Sequence, residues 1–242
     1  MAPRNFYLGS SLPPLGDLGS TPPLALADLA EHVREFAGAR SLVEAILLGD
    51  DLLEREALLA GERTEVAPAV LTAAQARNEA PLPEYLVGEE GEAPRRIAAD
   101  ALWEAYFRHA AAVARRRTSA MLAQWLAHEV AMRNTLAAER AKALGLEPAD
   151  YVVAPDLAEA DPNLGALVGE WAAAPDPLAG MRVLDQARWR WLLDHEGWFT
   201  FADDEVAAYA AKLMLLHRWH RLAGEAPGAA RGRADGTRTA QA

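Results

Sequence analysis

Residues 121–146 read MLAQWLAHEVAMRNTLAAERAKALGL, and the fold turns on how this stretch is read. Leu122, Trp125, Leu126 and Leu136 recur on much the same face of a helix. Gly145 stands where such a helix would stop, and Lys142 sits near the negative end of its dipole. The spacing predicts one long helix over 118–144. Its middle turns hold His128, Glu129, Arg133 and Asn134. His128-Glu129 opens the zinc motif HExxH, which needs a second histidine at the fifth position. Met132 stands there, and a thioether is a poor zinc ligand, so no metal site is expected. On a helix Glu129 and Arg133 are four residues apart, with the acid on the favoured N-terminal side. They are expected to pair, partly buried, with Asn134 beside them. The cluster then either docks one helix on another or touches a partner.

The rest of the composition points the same way. The chain has 242 residues, of which 51% are apolar, enough for a sizeable core. Ala, Leu, Glu and Arg, the strongest helix formers, dominate over residues that favour strands. An all-α multi-helix bundle is expected. The net charge is −11 and its distribution is uneven. Between Arg95 and Lys142 bases outnumber acids. Between Ala143 and Met181 there are seven acids and no Lys or Arg. Nucleic acid binds clustered basic surface, so it is not an expected partner. There is no cysteine, which excludes disulfides, iron–sulfur ligation and thiol catalysis. The opening MAPRNFYLGSSLPPLG is a poor signal peptide. No run is long and apolar enough to insert in a membrane.

A single helical domain is expected over 1–224, divisible into sub-bundles 1–94 and 95–224, with a disordered tail at 225–242. NFYLGSSL reads as a short extended segment. Helical spacing then marks Ala25–Phe36, ended by Gly38. Ser41 is placed to cap Leu42–Leu48, and Asp50 or Asp51 to cap a further helix to about Ala60. LVGEEGEA reads as a loop between prolines. Arg95–Arg117 is helical, as is a short piece around Leu164–Ala173. Asp176 or Pro177 opens another helix, and Asp204–Leu222 follows the turn WFTFADD. GDDLLEREALLAGE, HEVAMRNTLAAERA and DDEVAAYAAKLMLL form a faint threefold echo.

No other motif assembles a catalytic site. Asp50, Asp51 and Glu54 have the DDxxE form that holds magnesium and a diphosphate in helical isoprenoid synthases. The second metal motif and the basic clamp of that chemistry are missing, so capping of helix N-termini is the favoured reading. No Glu has a His three residues later, as di-iron bundles require. His217 and His220 are one turn apart, yet without a third ligand they read as surface residues flanking Trp219. No phosphate loop and no nucleophile elbow occurs. No cofactor, no metal and no catalytic residue is expected, and the chain reads as a non-enzyme.

Three segments occur in the same order in one bacterial family. They are NFYLGSSLP (5–13), WLAHEVAMRNTLAAERAKALGLEPADYV (125–152) and LDQARWRWLLDHEGWFTFADDEVAAYAAKLMLLHRWHRL (184–222). The chain resembles the uncharacterised family encoded among V/A-type ATPase genes, which is similar to the C-type (eukaryotic d-type) subunit of V-type ATPases. The resemblance runs over most of 4–224 and is weakest across 61–94. Its most specific parts are Arg133-Asn134 with the LAAERAKALG run, and the spaced pattern that includes Arg188, Trp189, Tyr209, Lys212, Arg218 and Trp219. The C-type polypeptide is built of three related helical bundles, so the resemblance implies repeated bundles. Glu54 departs from the Asn expected in the first.

The resemblance further implies a non-catalytic coupling subunit. It would join the central axle subunits to the proteolipid ring, peripherally on the cytoplasmic face of the plasma membrane. A stand-alone helical adaptor or assembly factor and a magnesium-dependent isoprenoid-type enzyme are the alternatives.

Overall fold

All but the last three residues of the 121–146 stretch lie in one helix of 24 residues, Ala120–Ala143, here α6. Ser119 caps it, its hydroxyl accepting from Leu122 N at 3.1 Å. Gly145, at φ 67°, follows its end. This comes from a computed structural model of the chain, which describes residues 6–87, 95–197 and 200–224. Among those residues the chain is all-helical. The remaining α-helices are α1 (Phe6–Ser11), α2 (Leu26–His32), α3 (Ala37–Leu59), α4 (Ala73–Ala76), α5 (Ala98–Arg117), α7 (Leu164–Ala172), α8 (Pro177–His195) and α9 (Asp203–Gly224).

Long-range contacts bend several expectations. NFYLGSSL is helical from Phe6, not extended, because Leu8 is buried and the Ser10 and Ser11 hydroxyls return to carbonyls three residues back. Gly38 does not end a helix. It lies inside α3, pressed against the Asp203 carboxylate. Ser41 caps nothing, since α3 runs unbroken through it and its hydroxyl donates to Ala37 O at 2.9 Å. Asp50 and Asp51 likewise sit mid-helix and buried, not at an N-terminus. Asp176 does cap α8, accepting from Ala179 N at 2.8 Å. Asn5, Trp198, Phe199, the tail from 225, and residues 88–93 of the expected loop with Pro94 after it lie outside the described residues.

α5 and α6 form a tight antiparallel hairpin. Thr118, left-handed at φ 54°, ends the first helix and Ser119 starts the second. α9 lies along α3 in the most extensive helix pair, and α5, α6 and α8 pack around them. Leu42, Ile46, Leu122, Leu126, Leu213 and Leu216 are fully buried in this main core, which draws side chains from both sides of residue 94. Gly49 lets α3 approach α5, because a Cβ there would lie 2.7 Å from the Tyr106 hydroxyl oxygen. A smaller cluster joins α6, α7 and α8 through Met132, Leu136, Leu164, Val168 and Leu184. The three segments of the internal echo fall at the second half of α3, the second half of α6 and the first part of α9.

Candidate functional site

Buried charges, rather than a cleft, mark the most distinctive chemistry of the chain. Glu129 does not pair with Arg133. It accepts from Arg188 Nε of α8 at 2.7 Å. Arg133 points the other way, to Asp100 in the first turn of α5 at 2.9 Å, with its guanidinium 4.8 Å over the Trp103 ring. The i,i+4 rule describes an isolated helix, whereas here α5 and α8 flank α6 and each takes one charge.

The Glu129 cluster has four members from three helices. Arg188 Nη1 reaches Asp185 at 3.1 Å, and Arg218 of α9 reaches the other oxygen of Asp185 at 3.4 Å. Asp185 is completely buried. Two acids and two arginines leave the cluster neutral. Burial alone would raise the Glu129 carboxyl, but Arg188 outweighs it and holds the group below the ordinary range, with His128 and Arg218 assisting. Burial lowers the Arg218 guanidinium, against the pull of Asp185. Beside the cluster the Trp191 ring stacks with His128, at 5.2 Å, and with His195, at 4.0 Å. Burial pushes His128 down.

Asn134 clamps the chain that returns after α6. Its amide donates to Val153 O at 2.8 Å and its oxygen accepts from Val153 N at 2.9 Å. Arg95 donates to Val152 O at 2.7 Å, and Glu104 accepts from Ala154 N at 2.8 Å. The DDxxE residues are engaged as well. Asp51 accepts from the amides of Ala69, Val70 and Leu71 at 2.7–2.8 Å. Burial outweighs these three bonds and, with Asp50 adjacent, raises Asp51 to about 6. Asp50 pairs with Arg221 of α9, and Glu54 pairs with Arg221 at 3.1 Å and Arg63 at 3.2 Å. Among the described residues no group of three or more His, Asp or Glu is placed to hold a metal ion.

α9 also grips the N-terminal segment. Tyr209 donates to Pro13 O at 2.8 Å. His217 Nε2 bonds Leu24 O at 2.8 Å, and His220 Nε2 lies 3.1 and 3.0 Å from Gly19 O and Ser20 O. These histidines therefore have structural partners beyond flanking Trp219. Trp219 packs on Gly19, left-handed at φ 97°, and carries Arg182 over its ring. Lys212 pairs with Glu196 just past α8, and Trp189 is buried in the main core. Tyr209 and Lys212 line a hollow of about 350 Å³ between α9 and residues 12–15.

So Glu129, Arg188 and Arg218 come together. Arg133, Asn134, Trp189, Tyr209, Lys212 and Trp219 serve separate contacts. Sequence reasoning missed Asp185, Asp100 and the His128–Trp191–His195 stack. Asp185 did carry a signal, standing three residues before Arg188 on one helix. The chain matches no protein-family model, no curated protein and no solved structure.

Proposed function

We propose that this chain is a non-catalytic coupling subunit of a V/A-type rotary ATPase. It joins the central axle subunits to the proteolipid ring, peripherally on the cytoplasmic face of the plasma membrane, and ATP hydrolysis belongs to other subunits. The observation that carries the reading is the way α9 is fastened along its length. Asp204 accepts from Met121 N at the start of α6, Lys212 holds Glu196, Arg218 holds Asp185 of α8, and Arg221 holds Asp50 of α3. A part that passes torque must not let its helices slide. Close packing resists compression, and charge pairs buried between helices resist a change of register. The choice of machine in this reading rests on the ordered resemblance of residues 5–13, 125–152 and 184–222. No described helix is long and apolar enough to cross a membrane, which agrees with a peripheral place beneath a ring.

Deleting the gene in the native host tests the reading. Membrane vesicles from the deletion strain are expected to keep ATP hydrolysis and lose ATP-driven ion uptake, with uptake restored by the intact gene. Undiminished uptake in the deletion strain would contradict it.

A further inference from the structure

The hollow between α9 and residues 12–15 contains a carboxylate that packing does not explain. Glu196, just past α8, lines it with a side chain only 7% exposed. One carboxylate oxygen, Oε2, meets Lys212. The other, Oε1, is buried and has no hydrogen-bond partner among the described residues. A buried acceptor without a donor is costly, the more so on a charged group. A donor brought by a ligand would remove that cost.

The other polar groups of the hollow favour a donor too. Tyr209 gives its proton to Pro13 O at 2.8 Å, and burial pushes the hydroxyl up to about 12, so its oxygen keeps lone pairs to accept with. Glu205 accepts from Thr200 Oγ1 at 3.0 Å and from Phe201 N at 2.7 Å. Among the described lining residues Lys212 is the cation and Glu196 and Glu205 are the anions, which leaves one negative charge in excess. The walls are apolar, from Leu12, Pro13, Leu15, Phe201 and Val206. Phe201 is left-handed at φ 52°, uncommon for a bulky residue, with its ring centroid 4.5 Å from that of Phe6. At about 350 Å³ the hollow has the size of a small-molecule site, apolar with a few placed polar groups.

We propose that this hollow binds a small organic cation, an ammonium group carried on an apolar body. The ammonium donates to Glu196 Oε1, which turns toward it about the soft terminal torsion of the side chain, and to the Tyr209 oxygen. The body lies against Leu12, Leu15 and Val206. A neutral or anionic ligand of the same shape leaves the excess charge unmet. The inference goes beyond the rotary reading and stands without it.

The probe is 4-phenylbutylamine, a cation at pH 7, with 4-phenylbutanol and 4-phenylbutanoate as neutral and anionic controls. Each is titrated into the full chain, and binding is followed by amide chemical shifts. The amine is expected to bind saturably and about tenfold more tightly than the alcohol, with the butanoate weakest. The shifts are expected to centre on Gly9, Gly197 and Ala202, which line the hollow. Leu15→Trp narrows the hollow and leaves its charged groups in place, and is expected to weaken amine and alcohol alike. Glu196→Gln is expected to abolish the preference for the amine while alcohol binding persists. No saturable binding of the amine, equal binding of amine and butanoate, or shifts centred away from this hollow would overturn the proposal. So would a preference for the amine that survives Glu196→Gln. If that variant does not fold, the ranking of the three probes and the Leu15→Trp result decide.

Discussion

Replacing Arg188 with leucine is expected to destabilise the protein by about 3–5 kcal/mol at pH 7, the range found when one partner of a buried ion pair is removed. Arg188 bonds both Glu129 and Asp185, and its side chain is only 10% exposed. Its loss leaves two buried carboxylates with Arg218 as their nearby cation. The loss should depend on pH. In the native chain Glu129 is held below its unfolded value, so its contribution is present above that value and fades as pH falls through the folded one. Without Arg188 the desolvated carboxyl is raised instead, and protonation then favours the folded state. The difference between the two proteins, measured by urea denaturation, should therefore be larger at pH 7 than at pH 4. Adding Glu129→Leu to Arg188→Leu should recover much of the loss, since Asp185 and Arg218 remain as a neutral pair. A loss below about 1 kcal/mol, typical of exposed ion pairs, would show that the cluster is not desolvated.

Asp51→Ala should give the second large effect, with the opposite pH signature. It strips the acceptor from the amides of Ala69, Val70 and Leu71. Unpaired buried donors cost about 1–3 kcal/mol each, and as Ala69 and Val70 are only part-buried, about 2–4 kcal/mol in all is expected at pH 7. Asp51 has its folded pKa raised from 3.8 to about 6. The folded state therefore binds this proton more tightly than the unfolded one. Its contribution is fullest below pH 3.8 and declines as pH rises to about 6, by a span of about 3 kcal/mol at most. The cost of Asp51→Ala should accordingly be greater at pH 4 than at pH 7. Denaturation curves at the two pH values decide the sign, and an equal or reversed difference would show that the three amides, not burial, govern the group.

The contrast between these two sites explains what the sequence made legible. The long helices α5, α6, α8 and α9 were readable because periodicity is local, as were the Asp176 cap and the stop at Gly145. Asp50 and Asp51 follow Gly49 and look like a helix start. The chain runs on because Arg221, 171 residues away, and the amides of 69–71 take up those charges. Glu129 and Arg133 were legible as a polar cluster on a docking face, while their partners were not. Arg188 lies 59 residues from Glu129, and Asp100 lies 33 from Arg133. Gly49 gave no signal either, since its role is set by a tyrosine on another helix.

The coupling assignment is tested most directly by purifying a tagged copy of the chain from gently solubilised membranes of the native host and counting subunits by quantitative mass spectrometry. One copy per complex, together with axle, proteolipid-ring and ATP-hydrolysing subunits, is the predicted result. Recovery of the chain alone, from the soluble fraction and without ring subunits, would contradict it.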